Sequence, residues 1–324
     1  MLYFIIGNGK VCQDFDNFRQ NVKLLIMSKK DSSRVILFFI DGLGIGEKNQ
    51  NNPLYFVENI EPLGNYKDAS REIIYDGILV PTDPRLEIEG RPQSASGQTT
   101  ILTGINAPKF LGYHKQGFPN EKLREVIKEH SVFLQLKNLK IEPAVFANTY
   151  TPQFFTEKQR WKSATTCAVE AAGLQFRRLP DLLGRKALFH DFTNQTLVER
   201  GFDAPLFSNV EAAEILAELS EHHRFTLYEH FITDKIGHDQ DFERARIHLP
   251  LLAEFIRETI KRIDLEKTTF ILTSDHGNIE DLSVRNHTLN DVPTIIWGRK
   301  KDEIASQIKD LTDITPAILK LLTK

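Results

Sequence analysis

VILFFI at residues 35–40, followed at once by Asp41, decides the architecture. Six apolar residues, β-branched and aromatic with no polar alternation, describe a strand covered on both faces, the habit of a parallel sheet. The pattern recurs in TLYEHFI at 226–232, which runs into Thr233 and Asp234, and in TFILT at 269–273, which runs into Ser274, Asp275 and His276. PAVFA at 143–147 and PTIIW at 293–297 read as further strands. Amphipathic segments alternate with these runs. Asn120 can cap a helix through about His130, Asn209 one carrying AAEILAEL, and Asp241 a long one that Pro250 should kink or divide. The last helix starts near Thr312 or Asp313, with Pro316 in its first turn. The fold class expected is α/β, a mostly parallel central sheet with helices on both faces. Ligands of such sheets bind beyond the carboxyl ends of the strands, which brings Asp41, Asp234 and Asp275 toward one edge.

The chain has 324 residues, with 41 Lys+Arg against 44 Asp+Glu, a net charge of −3, and 41% hydrophobic residues. A chain of this size buries a core without disulfides or a metal staple. It lacks the basic surface that phosphate-backbone contacts require, so nucleic acid gives way to a small substrate as partner. Cys12 and Cys167 stand far apart and outside any CxxC spacing, which suits a reducing compartment and offers no thiolate metal site. MLYFII at the start has no basic flank or cleavage site, and no apolar run approaches membrane-spanning length; a cytoplasmic location without a membrane partner is expected. Residues 1–30 read as an N-terminal extension and 31–324 as a single domain. Residues 1–26 fit poorly with the rest of the chain, and two alternatives stand: a mis-assigned start ahead of Met27, or a genuine edge strand and helix. The stretch 151–208, holding Arg160, Lys162, Arg177, Arg178, Arg185 and Lys186, reads as a small insertion beside the site.

Asp275 and His276 adjoin at a strand end, with Gly277 and Asn278 after them. His287 comes a short loop later. Asp234 and His238 are four apart, the separation that places two side chains on one face of a helical turn. With Asp41 these make three carboxylates and three imidazoles. Mixed oxygen and nitrogen donors suit two divalent ions, Mn²⁺ or Zn²⁺ in preference and Mg²⁺ after them, rather than Ca²⁺. Between the first two aspartates lies QSASGQTTILTG, 93–104, rich in hydroxyls. Ser94 is its nucleophile candidate, since coordination to a metal activates an otherwise weak hydroxyl. A nucleophile between two ions matches in-line phosphoryl transfer.

ILFFIDGLGIGE, SASGQTTILTG, TDKIGHD, TSDHGNIED and NHTLNDVP, in this order, resemble the five metal and nucleophile motifs of the alkaline phosphatase superfamily. The branch most similar is that of cofactor-independent phosphoglycerate mutase and phosphopentomutase. The resemblance covers about 35–104 and 226–298 well and the middle loosely. It implies one ion held by Asp41, Ser94, Asp275 and His276, and a second held by Asp234, His238 and His287. Among Ser94, Ser96, Thr99 and Thr100, the family spacing to Gly97 and to Thr103-Gly104 selects Ser94. Sulfatases carry Pro and Arg two and four places after their nucleophile; Ser96 and Gln98 stand there, which excludes a formylglycine sulfatase. Gln98 also departs from the mutases, which carry His at that place, and the chain is too short for their large inserted domain. The expected function is therefore two-metal hydrolysis of a small phosphate ester through a phosphoserine at Ser94. Its rivals are a phosphomutase of the phosphoglycerate or phosphopentose type and a catalytically silent metal-binding regulatory protein.

DGLGIG lacks the GxGxxG spacing, which sets a dinucleotide-binding turn aside. His222 and His223 should finish a helix, and His248 should sit on a solvated helix face. Glu229 and His230, inside an apolar strand, need buried partners and read as a structural network. His114 and Lys115 in GYHKQGFP, and Asn148 after the strand at 143, are weaker substrate-contact candidates.

Overall fold

Each uninterrupted apolar run becomes a strand whose two faces are covered. A computed structural model describes residues 33–67, 73–157 and 161–323, so the N-terminal extension and its two alternatives lie outside the described residues. The strands are β1 (Arg34–Ile40), β2 (Ile78–Thr82), β3 (Ala144–Phe146), β4 (Thr149–Tyr150), β5 (Arg177–Arg178), β6 (Phe225–His230), β7 (Thr268–Ser274) and β8 (Val292–Gly298). Six of them form the central sheet in the order β2-β8-β7-β1-β6-β3, and β4 and β5 pair apart from it. β1 pairs in parallel with β6 and β7, and β3 in parallel with β6. β8 runs antiparallel to β7, and β2 antiparallel to β8. The mostly parallel α/β sheet expected from the sequence is the one found.

Alternate residues of β1 feed two cores. Ile36, Phe38 and Ile40 face a layer holding Tyr228, Phe255, Phe270 and Trp297, to which the Asn209–His222 and Phe242–Arg262 helices contribute. Val35, Leu37 and Phe39 face the other, with Phe133, Phe225, Ile271 and the Ile314–Thr323 helix. Phe38 lies 5.1–5.7 Å from the rings of Tyr228, Phe255 and Phe270. Full burial of such a side chain is worth roughly 2–3 kcal/mol relative to exposure.

Three local expectations are corrected. Of the two outcomes expected at Pro250, division is overturned, since one helix spans Phe242–Arg262; burial of Ala245, Leu249, Leu252, Ala253, Phe255 and Ile256 on both sides of the proline outweighs an interior proline's cost of about 3 kcal/mol. Ser208, not Asn209, caps the helix at 209–222, because it forms a reciprocal capping box with Glu211. His248 is half-buried rather than on a solvated face: its Nε2 turns inward and lies 2.9 Å from His230 Nε2. The final helix begins after a short turn, Leu311–Asp313, capped by Asp310. Among the described residues no helix is long and apolar enough to cross a membrane.

Candidate metal centre

Strand register places the aspartates. Ile40, His230 and Ser274 are partners across β6-β1-β7, so the next residues, Asp41, Phe231 and Asp275, leave one sheet edge together. Asp41 N donates to His230 O at 2.8 Å, fixing the turn. The Ile232–Asp239 helix then carries Asp234 and His238 on one face, and the Ser94–Thr103 helix brings in Ser94 at its first residue. Close approach depends on glycine. Gly42 has φ +77°, and a Cβ there would stand 2.9 Å from Asp234; a Cβ at Gly97 would stand 2.9 Å from the Asp275 Cβ and carbonyl oxygen.

Ser94 Oγ is 3.0 Å from His276 Nε2. That nitrogen is 3.1 Å from Asp41 Oδ1 and 3.5 Å from Asp275 Oδ2. Asp234 lies 3.4 Å from His238 Nε2 and 3.5 Å from His287 Nε2, and the two imidazole nitrogens are 3.2 Å apart. The rings of His276 and His287 stack at 3.6 Å, which joins the two groups into one cluster. The donor atoms of Asp41, Asp275 and His276 lie close enough to share one ion, as do those of Asp234, His276 and His287.

Surrounding groups orient these donors. His238 Nδ1 is 2.8 Å from Arg285 O, and His287 Nδ1 is 2.8 Å from Pro92 O. A carbonyl only accepts, so each Nδ1 carries the hydrogen and each Nε2 keeps its lone pair toward the centre. Asn278 Nδ2 donates to Asp234 Oδ1 at 2.7 Å. Glu280, buried, accepts from Gly44 N and Asn278 N and thereby ties the loop after β1 to the loop after β7.

The electrostatics are those of a cation site. Burial, with the charge of Asp234 added, holds the Asp41 carboxyl well above the usual range; burial, with Asp41 and Asp234 added, does the same to Asp275. Burial would also raise Asp234, but the neighbouring His287 and His276 imidazoles and the amide of Asn278 carry it below the ordinary carboxylate value. Burial lowers the His276 imidazole from its ordinary value, against the pull of Asp234. Asp41 Oδ1 is buried without a hydrogen bond. Three crowded carboxylates, three imidazoles with their Nε2 atoms turned inward and one orphaned oxygen fit divalent cations.

Residues 33–323 match the family model described as the Metalloenzyme superfamily. The chain belongs to that superfamily. Within it, 76 residues are 37% identical to 2,3-bisphosphoglycerate-independent phosphoglycerate mutase 1 of Archaeoglobus fulgidus, covering 23% of this chain and 18% of the mutase. A second such mutase, from Sulfurimonas denitrificans, is 26% identical over 129 residues, 37% of this chain and 26% of the mutase. The chain thus spans about a fifth to a quarter of the length of the curated relatives it matches. The cold-active alkaline phosphatase of a psychrophilic Shewanella superposes with TM-score 0.52 at 12% identity, covering 90% of this chain and all of that one, a likeness of fold. The superfamily match agrees with the five motifs, and the curated relatives named are similar to the mutase branch that those motifs resemble.

Of the weaker candidates in this metalloenzyme, His114 and Lys115 fall elsewhere and Asn148 reaches the site. His114 Nε2 is 3.2 Å from Ile88 O, and Lys115 Nζ donates to Gln116 O; neither lines the cavity beside Ser94. Asn148 lines it, yet its amide is spent on β6: Nδ2 donates to Glu229 O at 2.7 Å and Oδ1 accepts from Glu229 N at 2.9 Å. Sequence reasoning gave no role to Gln98, whose Nε2 donates to Asp41 Oδ2 at 2.9 Å and to Asp275 Oδ2 at 3.2 Å. It also passed over His190 and Lys235, which line the cavity. Lys235 directly follows Asp234, and that adjacency was its available signal; His190 had none.

Proposed function

We propose that the protein transfers a phosphoryl group from a small phosphate ester to Ser94 and hydrolyses the resulting phosphoserine. Asp41, Asp275 and His276, with Ser94, would hold one divalent ion; Asp234, His238 and His287 would hold the other. Such ions favour the serine alkoxide and neutralise charge on the transferring group. The observation that carries the reading is Ser94 Oγ, 3.0 Å from His276 Nε2 and on the wall of a cavity shared with Asp41 and Asp234.

Ser94 opens a ten-residue helix, so its hydroxyl stands at the positive end of the helix dipole, which favours an incoming phosphate. Its oxygen forms the new P–O bond while the ester oxygen departs with its electron pair. Water then attacks the phosphoserine, releasing inorganic phosphate and restoring the serine. Lys235 lies on the same wall and supplies a cation to the phosphate oxygens. Water access favours hydrolysis over a mutase that must keep water out: the His238 side chain is 35% exposed and that of Asp234 16%.

The test is turnover of an aryl phosphate monoester and the matching diester with Mn²⁺, Zn²⁺, Mg²⁺ or chelator, beside Ser94→Ala. Metal-dependent release of phosphate, lost by at least about a hundredfold in Ser94→Ala, is expected. Equal turnover in Ser94→Ala would overturn the phosphoserine route. Exchange of phosphate between two hydroxyls of a phosphosugar or phosphoglycerate without release of free phosphate would establish the mutase instead.

A further inference from the structure

The cavity beside Ser94 measures about 380 Å³, room for a small organic molecule in addition to a phosphoryl group. Away from the metal cluster its wall is aromatic: Phe118, Phe146, Tyr150 and Phe231 line it. Phe118 is 47% exposed and stacks on Trp161, 58% exposed, with ring centres 6.3 Å apart and planes 19° from parallel. Asn148, Thr149, Ser163 and Thr166 also line it, with Lys235 beside Asp234, and two titratable groups stand among the aromatic rings. His190, 7% exposed, is wedged between Phe189 and Phe231 with ring centres 4.1 Å away on each side, and its Nδ1 has no hydrogen-bond partner. Glu229, also 7% exposed, receives Thr165 Oγ1 on Oε2, while Oε1 has no hydrogen bond among the described residues. Neither group serves the metal cluster.

We infer that this wall binds the alcohol half of the substrate, and that this half is an uncharged, planar apolar body held by aromatic contact and by hydrogen bonds to His190 and Glu229. The assignment rests on the phosphoryl-transfer reading for its other half. Aromatic side chains favour flat apolar partners in offset or edge contact, which a carboxylated or doubly phosphorylated alcohol does not offer. Both polar groups resist charge. Burial, with Lys235 and Arg200 nearby, holds the His190 imidazole well below its ordinary value, and burial pushes the Glu229 carboxyl up to about 7 despite its bond from Thr165. A neutral imidazole and a carboxyl on the verge of protonation exchange hydrogen bonds with a hydroxyl or ring nitrogen and give little to an anion.

Naphthyl phosphate and phosphoglycerate are the two probes for turnover, and naphthol and glycerate the two for calorimetric binding to the metal-loaded protein. The expected result is a kcat/KM at least about tenfold higher for naphthyl phosphate and measurable binding of naphthol but not glycerate. Phe118→Ala, at the exposed rim and so harmless to the fold, should weaken naphthol about fivefold and raise KM with kcat little changed. His190→Ala should weaken it similarly, with partial rescue in His190→Gln. Naphthol affinity unaltered by both variants, or a kcat/KM favouring phosphoglycerate, would overturn the assignment while leaving Ser94 chemistry standing. Naphthol binding as expected with neither ester turned over would overturn the reaction and leave the subsite.

Discussion

Gln98 joins two acids that would otherwise face each other without a donor between them. Its one side-chain nitrogen reaches Asp41 Oδ2 and Asp275 Oδ2, and both carboxyls are pushed upward by burial and by neighbouring charge. Hydrogen bonds to charged groups contribute about 1.5–3 kcal/mol, and orphaning a buried acceptor costs more than losing a neutral pair. Gln98→Ala should therefore lower the urea-unfolding stability of chelator-treated protein by roughly 2–3 kcal/mol. With saturating Mn²⁺ the loss should shrink, because a cation takes over the compensation of the same oxygens. A loss that is equal with and without metal would show that Gln98 acts only as packing. At this scale the sequence was legible for Asp41, Asp275 and His276, whose adjacency to strand ends is written in the chain. It was silent on the role of Gln98 because a glutamine one helical turn into a buried helix is ordinary until its partners are known.

The element scale joins β6 to the Phe242–Arg262 helix through two histidines. His230 Nδ1 lies 2.9 Å from His190 O, so that nitrogen carries the hydrogen and Nε2 accepts from His248 Nε2 at 2.9 Å. The rings stack 4.9 Å apart. Burial and Arg244 hold His248 down to about 4, and burial, with His248 beside it, holds His230 well below its ordinary value. In the unfolded chain each titrates near 6.5. Between about 6.5 and 4 the unfolded state thus binds more protons than the folded one, and stability is lost as pH falls through that window. His248→Gln keeps a donor for His230 and removes one titrating ring. It should reduce the slope of unfolding free energy between pH 6.5 and 4 by up to about one proton, or roughly 1.4 kcal/mol per pH unit. Chemical denaturation at several pH values checks this, and an unchanged slope would sink it. The sequence showed Glu229 and His230 inside an apolar run, which demands buried partners, but it placed His248 on a solvated face because the partner lies across the fold. β2 escaped notice for a related reason: ILVPT holds a proline, which is tolerated because β2 is an edge strand.

The whole molecule explains why the metal cluster was easier to read than the cavity. β6, β1 and β7 are neighbours in parallel, so three aspartates that end three apolar runs must converge whatever the loops do. The cavity draws on Phe118, Tyr150, His190 and Phe231 from separate segments of the chain, and no periodicity announces their meeting. The same geometry sets an energetic expectation. Burying Asp41 and Asp275 together opposes folding unless cations compensate them, so metal binding and folding are coupled. Each site filled at about a hundred times its dissociation constant adds roughly 2.7 kcal/mol, or about 5 kcal/mol for two. For a chain of this length that corresponds to a rise in Tm on the order of 10 °C. Chelation should lower Tm by this amount and Mn²⁺ or Zn²⁺ should restore it. Ser94→Ala should keep most of the shift, since the carboxylates and imidazoles remain, whereas Asp275→Ala should lose about half together with one bound ion by elemental analysis. If the Tm of Asp275→Ala responds to metal as fully as the wild type does, Asp275 is not a ligand, and the pairing of Asp41 with Asp275 across β1 and β7 needs another cause.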